Sequence, residues 1–270
     1  MLLATNGFAA NAVMVTEFCP EIAGAEYFGA PGSTGEAVLW GGELGAALGN
    51  MAAYQGYAAV AYPQGQLLSW TTIEKGGILV SQNGRRFGNE DAGYSGFAPD
   101  VMAQGDFAYA VFDRRIHQIA ALEEEYAEMA EMGAVRWADS PVDLAAAGGV
   151  EPHGLAETLA EYNDAAAGRM PDPFGREKFE KAPLQPPFAI VTVKPGLFHT
   201  QGGLLVDEHA RVRHRDGGVI PNLFAGGGAA AGISGVRGAG GYASGNGLLT
   251  ALGLGRLAGL RAAVEIQDGT

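Results

Sequence analysis

Three stretches decide how this chain folds: Gly202-Gly203-Leu204-Leu205-Val206-Asp207, then Ile220-Pro221-Asn222-Leu223-Phe224-Ala225-Gly226-Gly227-Gly228, then Ser244-Gly245-Asn246-Gly247-Leu248-Leu249 running on to Gly255-Arg256-Leu257-Ala258-Gly259. The first two are short apolar runs bounded by glycine, the pattern of buried strands entering or leaving tight turns. The third starts an apolar helix, expected over about residues 247–266, in glycine. A helix that starts this way presents unpaired backbone N–H groups and the positive end of its dipole, which favours an electron-rich ligand edge.

Working outward, the chain opens on Met1-Leu2-Leu3-Ala4-Thr5-Asn6-Gly7-Phe8, another apolar run closed by glycine, with a strand expected at Leu2 to Ala4. Thr34-Gly35-Glu36 reads as the cap of a helix carrying Leu39, Leu44, Ala47, Leu48 and Met51 at helical spacing. From about residue 54 to 187 the character changes. Gly77-Ile78-Leu79-Val80 with an Asn83-Gly84 turn predicts short strands, and acidic amphipathic helices are expected around His117 to Met132 and Leu155 to Ala167. After Pro186-Pro187 come a strand at Phe188 to Val193 and a hairpin-like pair, Gly203 to Val206 with Ala210 to Val212, around Asp207-Glu208.

Composition excludes several classes. The 270 residues suffice for one large or two modest domains, and the 43 glycines sit in turns between apolar runs with no collagen or linker period. A net charge of -13 would repel a phosphate backbone, so nucleic acid is not an expected partner. The single cysteine, Cys19, excludes an internal disulfide and a cysteine metal cluster, and it reads as a small buried hydrophobe. His117, His153, His209 and His214 show no metal-ligand spacing, and Glu123-Glu124-Glu125 reads as a solvated helix face. No stretch reaches the roughly 18 apolar residues of a membrane span and no signal peptide is evident, so a cytoplasmic chain without a membrane span is expected.

Several motifs, in order, resemble those of fumarate reductase and ketosteroid dehydrogenase type flavoproteins. Leu3-Ala4-Thr5-Asn6-Gly7-Phe8-Ala9-Ala10-Asn11 is similar to the family's L-A-T-G-G-F-x-x-N, and Thr34-Gly35-Glu36 to its T-G-D-G. Asn83-Gly84-Arg85-Arg86-Phe87-Gly88-Asn89-Glu90 resembles G-x-R-F-x-N-E, His199-Thr200-Gln201-Gly202-Gly203 resembles H-T-M-G-G, and Asn222 to Gly228 resembles G-L-Y-A-A-G-E. The resemblance implies an α/β fold with an α+β cap. It consists of a partial Rossmann-like FAD domain, residues 1–55 and 189–270, with a cap or substrate domain at 56–188. The Gly-x-Gly-x-x-Gly half of such a fold is not among these residues, so completion by a second polypeptide is expected.

The same resemblance implies FAD as cofactor and a hydride transfer at a carbon–carbon bond next to an electron-withdrawing group. Expected cofactor contacts are Ala4, Thr5, Asn6, Gly7, Thr34, Gly35, Thr200, Gly202, Gly203, Ala225, Gly226, Gly227, Gly228, Ser244, Gly245, Asn246, Gly247 and Leu248. His199 supplies a polar group at the edge of this cradle.

The fumarate reductase branch has a proton-donating Arg a few residues after N-E, where this chain has Tyr94. Its carboxylate-binding His before Pro is matched with Tyr62-Pro63 and its acidic relay with Trp70, so an aromatic pocket replaces a charged one. The ketosteroid dehydrogenase branch carries a Tyr after N-E as base, and a second in a glycine-rich turn to polarise the ketone. Tyr94 and Tyr242, in Gly240-Gly241-Tyr242-Ala243-Ser244-Gly245, resemble them. Arg237 is the rival for the substrate-binding place and would select a carboxylate. The reading is a subunit of a split FAD-dependent oxidoreductase acting on a small hydrophobic carbonyl compound; its alternative is a non-catalytic, flavoprotein-like binding or scaffold subunit.

Overall fold

The computed structural model describes residues 1–240 and 242–267. The chain divides into two compact units, Met1–Gly56 with Leu197–Thr270, and Tyr57–Gly196. The first begins with β1 (Leu2–Leu3), α1 (Ala12–Phe18), β2 (Glu26–Tyr27), α2 (Glu36–Glu43), β3 (Leu48–Gly49) and the start of β4 (Ala52–Ala61). The second holds α3 (Thr71–Glu74), β5 (Ile78–Val80), α4 (Gly93–Gly96), α5 (Ala98–Met102), β6 (Ala108–Asp113), α6 (Arg114–Ala120), α7 (Glu124–Glu131), β7 (Arg136–Ala138), α8 (Pro141–Gly148), α9 (Pro152–Ala166) and most of β8 (Phe188–Thr200). The chain then returns to the first unit for β9 (Gly203–Leu204), β10 (Arg211–Arg213), β11 (Val219–Ala225), β12 (Arg237–Gly238) and α10 (Asn246–Gln267).

In the first unit β1 pairs parallel with β11, Leu2 opposite Phe224 and Leu3 opposite Ala225, and β10 flanks β11 antiparallel. Leu3, Leu204, Val212, Leu223 and Ala229 form its core, and burying each large aliphatic side chain contributes about 1.5–3 kcal/mol. In the second unit β6 lies between β5 and β8, and β7 also pairs with β8. Its core includes Leu79, Val111, Phe112, Tyr126, Leu155 and Ile190, all fully buried.

Several elements differ from the sequence reading. The helix expected to reach Met51 stops at Glu43, because Gly41, Gly42 and Gly45 lie in and after its last turn and Gly45 takes φ 81°. Leu48 and Gly49 then form β3, which pairs with β9. The Gly203–Val206 segment thus has β3 as a further partner beside the expected hairpin, which forms through the Val206–Val212 bridge with the Asp207 N–H donating to the Arg211 carbonyl at 3.0 Å and the Arg213 N–H to the Leu205 carbonyl at 2.8 Å. The strand expected at Phe188–Val193 continues to Thr200.

The expected absence of a membrane span does not hold by length and composition. α10, at 22 residues, is long and apolar enough to cross a bilayer by these two measures, because its Leu, Ala, Val and Ile residues outweigh the Gly, Thr and Arg that interrupt them. In this structure Asn246, Thr250 and Ala258 are its buried positions, and it packs on β11 and the 227–229 turn.

Candidate functional site

In the first unit, the parallel register of β1 and β11 releases two loops at one strand edge. Leu3 and Ala225 are opposite one another, so Ala4-Thr5-Asn6-Gly7 and Gly226-Gly227-Gly228 leave the sheet side by side, and the Gly226 N–H donates to the Leu3 carbonyl at 3.1 Å. Ligands of open α/β sheets bind outside such carboxyl ends of parallel strands. A Cβ on Gly228 would collide with Asn6 Oδ1 and stand 2.9 Å from both the Gly7 nitrogen and His199 Cε1. A Cβ on Gly7 would collide with Thr200 Oγ1, which itself accepts from the Phe8 N–H at 3.0 Å. Asn6, with φ 66°, donates through Nδ2 to Ser33 Oγ at 2.8 Å. The Gly35 N–H donates to the Gly7 carbonyl at 3.1 Å, and Thr34 Oγ1 hydrogen-bonds Glu36 Oε1, which holds the Glu36 carboxyl below its ordinary pKa. The segments around residues 4–8, 33–36, 199–203 and 225–228 thus form one knot.

The amino-terminal end of α10 joins this knot through an amide pair. Asn246 Nδ2 donates to Gln201 Oε1 at 2.7 Å, and both residues are almost wholly buried. Gln201 Nε2, Asn246 Oδ1 and Thr5 Oγ1 are buried without a hydrogen-bond partner. Buried polar groups are ordinarily satisfied, so these point to a missing polar group. Exchanging O and N in either amide leaves the same kind of unmet need.

The candidate glycines fall into two sets. The places of the absent side chains of Gly7, Gly202, Gly203 and Gly228 are taken by protein atoms, such as Met51 Cα 2.7 Å from Gly202's and the Ala230 carbonyl carbon 2.6 Å from Gly203's. At Gly245 and Gly247 a Cβ would meet nothing within 4 Å, and Ser244 and the Leu248 side chain are exposed. The first set packs the knot and the second leaves the helix start accessible.

His199 is half-buried, and desolvation holds its imidazole below the usual histidine pKa, so it is neutral at pH 7. Arg237, exposed on β12, sits opposite Ala52 of β4, while Tyr242 is half-buried in the turn before α10. Gly241 of that turn lies outside the described residues.

In the second unit the Tyr94 ring lies 5.1 Å from that of Tyr57, tilted 31° to it, and Tyr57 meets Trp70 edge-on at 6.5 Å. The Tyr57 hydroxyl donates to the Leu68 carbonyl at 2.9 Å, and burial pushes its pKa well above the ordinary phenol value. Sequence matching had put Tyr62-Pro63 beside Trp70 in an aromatic pocket. Tyr62, in the turn after β4, instead packs on Phe107 at 4.8 Å, and Tyr57, five positions earlier on β4, takes the place beside Tyr94 and Trp70. Tyr57 and Gln201 are the two residues the sequence reading passed over. A strand-face count along 52–61 was the only signal for Tyr57.

The Asn83–Glu90 motif builds a scaffold. Glu90 accepts from Arg86 Nη2 at 2.6 Å, Arg86 Nε at 3.1 Å, the Leu79 N–H at 3.2 Å and Arg176 Nη1 at 3.4 Å, while Arg86 also pairs with Asp172; the side chains are at most 4% exposed.

A parallel-strand edge with two glycine turns beside a glycine-started helix is the kind of place at which α/β folds bind dinucleotides. Residues 1–244 match the FAD binding domain family, and the chain belongs to that family. It is 30% identical over 264 residues to the fumarate reductase (cytochrome) of Shewanella frigidimarina, spanning 97% of this chain and 45% of that enzyme. Among solved structures it superposes on the open conformation of a flavocytochrome c3 fumarate reductase with a TM-score of 0.73 at 26% identity, covering 96% of this chain and 45% of that one. It also superposes on the 3-ketosteroid-Δ4-(5α)-dehydrogenase of Rhodococcus jostii RHA1, in complex with 4-androstene-3,17-dione, with a TM-score of 0.70 at 30% identity, covering 97% of this chain and 52% of that one. The chain spans about half the length of the relatives it matches.

FAD is the cofactor of this family, and the residues present fit it. Four unsatisfied buried polar atoms, Thr5 Oγ1, Glu36 Oε2, Gln201 Nε2 and Asn246 Oδ1, belong to the knot and to the helix start, where the Gly245 and Gly247 backbone has open space beside it.

Proposed function

We propose that this chain forms the flavin-side and substrate-side portion of an FAD-dependent oxidoreductase acting on the carbon–carbon bond α,β to a carbonyl in a hydrophobic, cyclic compound. The observation that carries this reading is the Tyr57–Trp70–Tyr94 cluster, an uncharged aromatic set in the unit that provides the cap. A cluster of phenols and an indole suits an apolar ring and holds no cation for a dicarboxylate. Bound FAD supplies the hydride acceptor or donor. Tyr94 moves the proton α to the carbonyl, and Tyr57 holds its ring in position. Thr5, Gln201 and Asn246 offer hydrogen bonds to the flavin, and neutral His199 adds no charge beside it. Tyr242 takes the substrate's carbonyl oxygen; Arg237 is its rival for that place and in its stead would select a carboxylated ring.

The dinucleotide-binding part of the fold comes from polypeptide outside residues 1–270. The exposed apolar side chains of α10, Leu248, Leu249, Leu252 and Leu260, together with β1 at the edge of its sheet, support such docking on the first unit.

The test reconstitutes the chain with FAD and that part. Tyr94→Phe is expected to retain flavin and lower kcat for dehydrogenation of a cyclic ketone by about 10²–10⁴-fold, the usual contribution of a general acid or base. Unchanged turnover in Tyr94→Phe, or a Tyr57→Phe effect larger than that of Tyr94→Phe, would refute the assignment.

A further inference from the structure

The second unit contains a cavity of about 490 Å³ beside the Glu90 network and another of about 410 Å³ around Tyr62. Most charges of the first are paired with one another, Lys75 with Glu180 and Arg176 with Glu90 and Asp91. Those of the second are not.

Arg136, at the start of β7, lines the second cavity with Tyr62, Gln64, Phe107, Tyr109 and Thr192. Its Nη1 donates to the Ala147 carbonyl at 2.8 Å and its Nη2 to Thr192 Oγ1, but no carboxylate of the described residues forms an ion pair with it. Among the described residues every other arginine that is not exposed has one: Arg86 with Glu90 and Asp172, Arg115 with Asp113, Arg176 with Glu90, Arg211 with Asp207, and Arg261 with Glu265. In a chain of net charge -13 acidic partners are plentiful, so a half-buried cation without one marks a vacancy in the charge pattern. Burial already holds the Arg136 guanidinium below its usual pKa, a cost that a bound anion would remove.

A second cation reinforces the first. Lys194 Nζ lies 4.5 Å from the Tyr62 ring centre and 4.9 Å from that of Phe107, with no acidic partner among the described residues. The two rings, 4.8 Å apart, form an apolar wall of the cavity, which Tyr109 extends. Gln64 Oε1 is buried without a hydrogen-bond partner, an unmet acceptor in the same lining.

We propose that this cavity binds a small flat carboxylate that carries a hydroxyl or amino donor. The carboxylate faces Arg136 within the positive field of Lys194, the ring lies along Tyr62 and Phe107, and the donor reaches Gln64. The cavity is within the size range of small-molecule sites. It is built entirely by the second unit and is separate from the Tyr57–Trp70–Tyr94 cluster, which shares none of its lining residues.

The experiment is isothermal titration of the full chain with 4-hydroxybenzoate, with 4-hydroxybenzamide as the uncharged competitor. The expected result is saturable one-to-one binding with a Kd below about 1 mM, weakened about 10-fold or more in Arg136→Gln, the scale of one lost charge-assisted pair. Gln64→Leu, which removes the acceptor and leaves every charge in place, is expected to weaken binding about 3–10-fold. Lys194→Gln is expected to reduce the salt dependence of Kd, and Tyr94→Phe to leave Kd unchanged. The proposal is overturned by an absence of saturable binding, by equal binding of the amide, or by a Gln64→Leu variant that binds as the parent does. It is equally overturned if Tyr94→Phe abolishes binding, since the ligand would then occupy the aromatic cluster.

Discussion

Replacing Glu90 by Gln tests the view that the Asn83–Glu90 motif is a scaffold and gives a magnitude that can be worked out. Glu90 Oε1 accepts from Arg86 Nε and the Leu79 N–H, and Oε2 accepts from Arg86 Nη2 and Arg176 Nη1. Whichever way the new amide turns, its NH₂ faces two donors, so two hydrogen bonds are lost along with the charge that balances Arg176. Charge-assisted bonds contribute about 1.5–3 kcal/mol each, and breaking a buried ion pair costs about 3–5 kcal/mol. For a chain of this size that corresponds to a fall in Tm of roughly 10 °C. The assay is urea and thermal unfolding followed by tryptophan fluorescence, because Trp70 and Trp137 both lie in the second unit and report on it directly. Adding Arg176→Met should restore part of the loss, with a coupling energy of at least about 0.5 kcal/mol. A loss below about 1 kcal/mol in Glu90→Gln, or strict additivity in the double variant, would show that the network is solvated and does not hold the unit together.

Three further outcomes follow from the first unit. Gly228→Ala should destabilise it by about 1–3 kcal/mol and lower flavin occupancy, since its Cβ meets Asn6 and backbone, whereas Gly247→Ala should raise thermal stability by a few tenths to about 1 kcal/mol. Flavin absorbance per chain, read beside Tm, separates the two effects. His199 has a folded pKa below its unfolded value, so its contribution to stability is complete above the unfolded pKa and is lost as pH falls through the folded one. The His199 Hε1 resonance should titrate below pH 6.5, and His199→Asn should flatten the fall in urea midpoint between about pH 7 and pH 5. Cys19 is buried, its thiol pushed up to about 12 by burial and by Glu21, and it donates to the Met51 carbonyl at 3.4 Å. A thiol reagent at pH 8 should leave it unmodified in the native chain and label it fully in 8 M urea; rapid native labelling would mean the first unit opens around α1.

The elements with strong local signals were legible. β1, the Asn83-Gly84 turn and α10 lie where apolar runs and glycine punctuation put them, because those signals act over a few residues. The misreadings concern non-local competition. Leu44, Leu48 and Met51 have helical spacing, yet Leu48 joins β9 some 155 residues away, a partner no window on the sequence reveals. Asn6, Gly7, Thr200 and Gly228 were recognisable as candidates, and the structure brings them together. Nothing in the sequence separated glycines that pack protein on protein from those that leave backbone open. Tyr57 escaped notice because the adjacent Tyr62-Pro63 imitated a motif.

The interleaving of the two units has a consequence for synthesis. Residues 57–196 are contiguous, so the second unit can fold as soon as its last strand leaves the ribosome. β1, by contrast, waits for β11: the Met1 amine donates to the Asn222 carbonyl, a partner 221 residues downstream. Until that segment has been translated the β1–β11 pairing cannot form, and closing so long a loop is slow. The β1–β11 pairing of the first unit therefore forms only after the second unit can have folded, and a ribosome that stalls before Ala225 would release a chain in which Leu2 and Leu3 lack their β11 partner.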